Sequence, residues 1–368
     1  MRAGVGSSGH HGRVSSRFDA GRLQRAFDLV ARQVESGNAP SAVLAVASGA
    51  GQARIEAFSG ADQARSDSIY MIASISKPIV ATAVMQLVER GLLVLTTPLQ
   101  RYLPEFVAPA AEPGQPGAEA MTPWHLLTHT NGIMEMDAEL LTGKRPSRQR
   151  LLEIACTTPL RFAPGARWEY GSLSFALLGE LIHRLDGRDH PEYLRDEILG
   201  PLGMPDTAYA PVDVARGMAL HLPNIPDAFQ APATAYFNSI QTPGGGLWAS
   251  AGDLVAFGRA MLAGGRLDGV RVLGRRFVEQ MTRDQTAGIM EAGTPPTAAP
   301  YGLGWSLPGA SGRQPASRRS FGHGGATGTR LLVDPDADLV VVYLVNHWGV
   351  GDEGSWAAVQ AVYAALDD

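Results

Sequence analysis

The chain has 368 residues, 45% of them hydrophobic, with 31 Lys plus Arg against 36 Asp plus Glu and a formal charge of -5. That composition suits one large unit or two domains sharing a cleft, and the weak acidity, with no dense Lys/Arg stripe, argues against nucleic-acid binding. The lone cysteine, Cys156, excludes an internal disulfide framework, and no apolar run is long enough to predict a membrane span.

Residues 1–18, rich in Gly, Ser, His and Arg, lack the apolar core of a signal peptide and read as a disordered leader on a cytoplasmic protein. Asp19 is a suitable N-cap for a helix with Leu23, Phe27, Val30 and Val34 at helical spacing, stopped by Gly37-Asn38. Two strands, Ala42 to Ala47 and Arg54 to Phe58, form a hairpin around Gly49-Ala50-Gly51. Ile79, Val80, Ala83, Val84, Leu87 and Val88 give a core helix from Pro78 to Arg90, ended by Gly91. Helical patterns follow at Trp124 to His129, Ser147 to Ala155, Leu173 to Leu185 and Tyr193 to Leu199, with Cys156 expected as a buried, inert thiol. Strands return at Arg330 to Val333 and Leu339 to Val345, and a helix from Ser355 to Leu366 closes the pattern. Exposed loops are expected at Val107 to Ala118, Thr286 to Ala299 and Pro308 to Ser320.

The predicted fold class is α+β: an antiparallel β-sheet flanked by helices, with a mainly helical second lobe. Residues 19–73 and 241–368 form the discontinuous sheet domain and residues 74–240 the helical one. The cleft between them is the natural ligand site.

Three segments can carry chemistry. In Ser74-Ile75-Ser76-Lys77, at a helix start, the lysine falls on the serine's face and can reach its hydroxyl. Only Lys77 and Lys144 among the basic residues are lysines. Arginine stays protonated, whereas a desolvated lysine can act as a neutral base, so a lysine retained at 77 marks a role that needs deprotonation. A serine three residues before a lysine also arises by accident, so this motif does not decide alone. Tyr170, in the extended piece Pro164 to Ser172, can deliver a phenol that passes a proton beside an ammonium; a half-buried structural tyrosine is the plain alternative. Phe321 to Gly328 is glycine-rich before a strand, so its N–H groups can meet a developing oxyanion, or it is a flexible loop. His125 and His129 share a helical face but lack the intervening Glu and third ligand of a zinc site, so buried, hydrogen-bonded histidines are expected and no metal. No Gly-x-Ser-x-Gly elbow and no phosphate-binding glycine motif is present, and no cofactor is expected.

Together these segments resemble the serine β-lactamase and penicillin-binding-protein superfamily, in its class C-like branch with family VIII carboxylesterases. Further matching stretches are Leu126 to Gly132, Pro243 to Leu247 with Ser250 to Leu254, and Tyr301-Gly302-Leu303-Gly304-Trp305. The resemblance implies a β-lactamase/transpeptidase-like fold, Ser74 as acylated nucleophile, Lys77 and Tyr170 sharing general-base and general-acid roles, and an oxyanion hole from the Ser74 and Ala326 amides. It also implies substrate-binding positions at His323-Gly324-Gly325, where β-lactamases carry Lys-Thr-Gly, and at Ser172, where they carry Asn. Both departures point away from efficient β-lactam hydrolysis.

The leading expectation is a carboxylesterase acting on small ester substrates. The alternatives are a D-amino-acid peptidase or amidase, or a DD-carboxypeptidase-like enzyme, with weak β-lactamase activity, and a catalytically silent binding module. Trp168, Phe237, Trp305 and Trp348 are candidate pocket walls.

Overall fold

The computed structural model describes residues 18–134, 145–223, 225–291 and 297–367, so the expected leader lies outside the described residues but for Phe18. Asp19 caps helix α1 (Ala20–Glu35), its carboxylate accepting from the Arg22 N–H. Strands β1 (Ser41–Ala47) and β2 (Arg54–Ser59) pair antiparallel as the expected hairpin. The short strand β3 (Ile69–Met71) runs into a 3₁₀ turn, Ala73–Ile75, and then helix α2 (Ser76–Glu89).

Among the described residues, the predicted helical middle contains the further helices α3 (Pro123–Leu127), α4 (Arg148–Thr157), α5 (Ser174–Asp186) and α6 (His190–Leu194). The π-type turn Arg195–Leu199 extends α6, accounting for the pattern read from Tyr193 to Leu199. Cys156 is buried in α4, and burial, with the Glu105 charge, pushes its thiol up to about 12.

Helix α7 (Asp227–Ile240), strand β4 (Trp248–Ser250), helix α8 (Ala251–Leu262), the ribbon β5 (Arg266–Leu267) and β6 (Val270–Arg271), and helix α9 (Arg275–Met281) come next, none of them foreseen. The chain then adds β7 (Phe321–Gly324), β8 (Arg330–Asp334), β9 (Leu339–Val345) and α10 (Glu353–Tyr363).

Five strands form one antiparallel sheet in the order β2-β1-β9-β8-β7. Both faces are covered, which is why β1 and β9 are buried at every residue. Alternation then sorts their side chains. Ala42, Leu44, Val341 and Tyr343 pack with Phe27 of α1 and Val359 of α10, whereas Val43, Ala45, Val340 and Val342 face Phe257 of α8.

The glycine-rich segment read as a possible loop is thus partly the edge strand β7. Gly322 is required there, because a Cβ would collide with the Leu331 carbonyl oxygen of β8. The helix expected through His129 ends at Leu127; His129 has left the helix with φ +58°.

Candidate active site

The turn carrying Ser74 is strained and strapped down. Ala73 has φ +45°, a left-handed conformation that costs a non-glycine residue about 1–3 kcal/mol. The Ser76 hydroxyl donates to the Ala73 carbonyl at 2.6 Å, and the Thr327 and Thr329 hydroxyls donate to the Met71 and Ile72 carbonyls at 2.8 and 3.2 Å. Both threonines are buried and belong to the loop after β7, so the turn holding the nucleophile candidate and the loop holding Ala326 are tied together.

Lys77, fully buried in the first turn of α2, places Nζ 3.1 Å from Ser74 Oγ. It also donates to Ser172 Oγ and to the Gly244 carbonyl, each at 2.8 Å. Gly244 comes this close because it has no side chain: a Cβ there would lie 3.0 Å from the Ser172 carbonyl oxygen and 3.1 Å from Phe175 Cβ. The amine sits over the rings of Tyr170 and Phe175, 4.7 and 5.4 Å from their centroids.

Tyr170 is 37% exposed and lines the same cleft as Ser74. Its ring stands 4.6 Å from that of His129 and 5.9 Å from that of His323. Across the cleft floor, Gly325 packs so tightly on Ile72 and Ala73 that only glycine fits. Among the described residues, neither the Ser74 nor the Ala326 main-chain N–H is used by a backbone acceptor. Two unengaged amides beside a serine are what an oxyanion hole needs.

His323 is buried on β7, its Nδ1 2.7 Å from the Gly324 carbonyl oxygen and its Nε2 3.0 Å from the Tyr301 hydroxyl. Burial, with Lys77 behind it, pushes this imidazole down to about 3. The same hydroxyl lies 3.2 Å from His129 Nε2. His125 does separate work: its Nδ1 accepts from the Thr122 N–H at 3.1 Å in a capping box.

The cleft has a volume of about 830 Å³, in the range of small-molecule sites. Trp168, Pro300 and Arg313 line it, as do Gly324, Gly325 and Ala326. Arg330 closes one side, its guanidinium bonded to Ser355 and Asp352 at 2.9 and 3.1 Å and stacked 3.9 Å over Trp356. Of the other expected walls, Trp305 is a core residue stacked on Phe257, and Phe237 stacks on Trp348 elsewhere.

Ser74, Lys77, Tyr170, Ser172, His323, Gly324, Gly325 and Ala326 therefore meet in one place, Ser172 in the lysine's shell. Sequence reasoning missed Thr327, Thr329 and Tyr301; the Tyr301-Gly302-Leu303-Gly304-Trp305 stretch was the available signal for the last. Among the described residues, no three His, Cys, Asp or Glu side chains converge as a metal site would require.

A beta-lactamase family model matches residues 26–365. The chain belongs to the beta-lactamase family. This places it among the serine hydrolases of the β-lactamase and penicillin-binding-protein superfamily. Protein Rv1367c of Mycobacterium tuberculosis is 32% identical over 316 residues, 76% of this chain and 78% of that protein. Esterase EstB of Burkholderia gladioli is 30% identical over 347 residues, 82% of this chain and 83% of that protein. Among solved structures, EstCE1, a hydrolase with promiscuous acyltransferase activity, superposes with a TM-score of 0.78 at 20% identity, covering 93% of this chain and 99% of that one. The superposition establishes the β-lactamase-like fold. No helix among the described residues is long and apolar enough to cross a membrane.

Proposed function

We propose that the chain is a carboxylesterase that cleaves small acyl esters through a Ser74 acyl-enzyme. The observation that carries this reading is the 3.1 Å approach of Lys77 Nζ to Ser74 Oγ at the floor of an open cleft. In a neutral amine, the two N–H bonds serve the Gly244 carbonyl and Ser172 Oγ, and the lone pair faces the Ser74 hydroxyl. Ser74 Oγ bonds to the ester carbonyl carbon as the Lys77 and Tyr170 pair takes its proton. The carbonyl oxygen gathers negative charge against the Ser74 and Ala326 amides, each such donor being worth about 3–4 kcal/mol. Collapse breaks the bond to the leaving alkoxide, which receives the proton and departs as an alcohol. Water then adds to the acyl carbon, gives up a proton to the same pair, and releases the acid as Ser74 is reprotonated. Lys77 and Tyr170 share the proton in both steps as one coupled pair.

Similarity to Esterase EstB supports the ester over the amide. So does His323, whose two ring nitrogens are engaged by Tyr301 and Gly324, which leaves it no N–H to hold a substrate carboxylate. The test is release of p-nitrophenol from acetate and butyrate esters, with nitrocefin and D-alanine p-nitroanilide in parallel, for the native chain and Ser74→Ala. Ester turnover that disappears with Ser74 supports the proposal. Turnover of the D-anilide alone, or none with no covalent labelling by a phosphonate, refutes it.

A further inference from the structure

His129, Tyr301 and His323 meet behind Tyr170 from distant parts of the chain, all three buried. The Tyr301 hydroxyl lies 3.2 Å from His129 Nε2 and 3.0 Å from His323 Nε2. The remaining ring nitrogens are also occupied: the Gly171 N–H points at His129 Nδ1 at 3.4 Å, and His323 Nδ1 stands 2.7 Å from the Gly324 carbonyl oxygen.

A neutral imidazole has one N–H and one bare nitrogen. Burial is the main cause that keeps both of these rings neutral. A carbonyl only accepts, so His323 carries its proton on Nδ1 and its bare Nε2 takes the Tyr301 O–H. An amide N–H only donates, so His129 Nδ1 is bare and its Nε2–H is given to the Tyr301 oxygen. The two deductions start at opposite ends and agree at the phenol, which accepts one hydrogen bond and donates the other.

We infer that Tyr301 is a positioning residue: it links two rings whose tautomers the backbone sets, and so joins the Gly171 amide, next to Tyr170, and the Gly324 carbonyl, two residues before Ala326, into one directed hydrogen-bond chain. The chain starts on an amide N–H and ends on a carbonyl, groups that exchange no proton in turnover, so it orients and does not conduct. Its effect on turnover rests on the esterase reading; the hydrogen-bond chain itself does not. Tyr301→Phe removes an acceptor and a donor at once. Both Nε2 atoms then lose their partner, and the strut between the Tyr170 segment and the oxyanion loop is gone.

The experiment records long-range ¹H–¹⁵N spectra of the histidine-labelled full chain, assigned with His129→Asn and His323→Asn. In the native chain His323 is expected as the Nδ1–H form and His129 as the Nε2–H form; in Tyr301→Phe these forms are kept, while the Nε2 resonances of both rings shift as they lose their hydrogen-bond partner. On p-nitrophenyl butyrate, Tyr301→Phe is expected to lose about 10- to 100-fold in kcat with KM within about twofold. A native His323 protonated on Nε2 overturns the inference whether or not the variant folds. So does a folded Tyr301→Phe with both Nε2 shifts and kcat unchanged. Native tautomers as stated in a chain that hydrolyses no ester sink the esterase reading and leave the network standing.

Discussion

Gly325→Ala tests whether the two loops that face each other over Ser74 set the rate. A Cβ at 325 would overlap Thr329 Oγ1, lie 2.5 Å from the Ile72 carbonyl oxygen and come 3.2 Å from Ala73 Cβ. The Ile72 contact is to backbone, one residue before the strained Ala73, so side-chain rotation does not relieve it. Separation has to come from the loops, by roughly 1 Å, and a misplacement of that size costs about 100-fold in rate. Loss of one oxyanion donor leads to a similar figure, about 10²–10³ in kcat. Overpacking adds about 1–3 kcal/mol of instability, which a domain of this size can survive. The assay is kcat on p-nitrophenyl butyrate, with the melting temperature and the fraction of Ser74 labelled by a phosphonate measured on the same preparation. A folded variant within about threefold of native kcat refutes the reasoning.

Lys77→Arg should abolish turnover, by at least about 10³-fold, because a guanidinium stays protonated and has no room among Ser74, Ser172 and Gly244; circular dichroism and the melting temperature separate this from misfolding. Thr327→Val and Thr329→Val each leave a buried carbonyl, Met71 or Ile72, without its hydroxyl donor. Each should lose about 1–3 kcal/mol in urea unfolding and about tenfold in kcat, and variants with both values unchanged would show that the clamp is idle. Stability should also fall in acid. His129, His190 and His323 are held below the ordinary imidazole value, all mainly by burial, His190 at about 4 and His323 at about 3. The unfolded chain then binds more protons below about pH 6.5, so the stabilisation present above that pH drains away toward pH 4, by up to about 1.4 kcal/mol per pH unit for each ring. Urea midpoints that stay level from pH 7 to pH 5 would contradict this.

Where local composition and burial agree, the sequence was enough. Helix α2 is a mainly apolar run behind Ser74, and β1 and β9 are dominated by Ala, Val and Leu, so their type was plain. Three helices escaped for a different reason. Pro232 sits inside α7 and argues locally against a helix that Ala233 and Ile240 nonetheless anchor in the core. The start of helix α8 reads in the sequence only as a motif, Ser250 to Leu254, and helix α9 draws no assignment. Strand β7 has the composition of a loop, and only its tight approach to β8 explains the glycines. The Ser74 and Lys77 pairing could be seen because it is a matter of helical spacing. The Tyr301 network could not, since its partners lie 172 and 22 residues away and no periodicity links them. The left-handed Ala73 was equally invisible, because nothing in an alanine announces strain.

The register that joins Ala42 to Val345 bears on how the molecule is made. Strand β1 is synthesised early and waits for β9, the central strand of the sheet, which emerges near the end of translation, so most loop-closure entropy is met late and in one step. Until the loop after β7 is made, the Ser74 turn lacks the Thr327 and Thr329 straps, so a nascent chain carries the serine and its lysine on an unclamped turn. Deletion of β9 should accordingly produce aggregation rather than a weakened enzyme, since the exposed edge of β1 is an apolar strand seeking a partner.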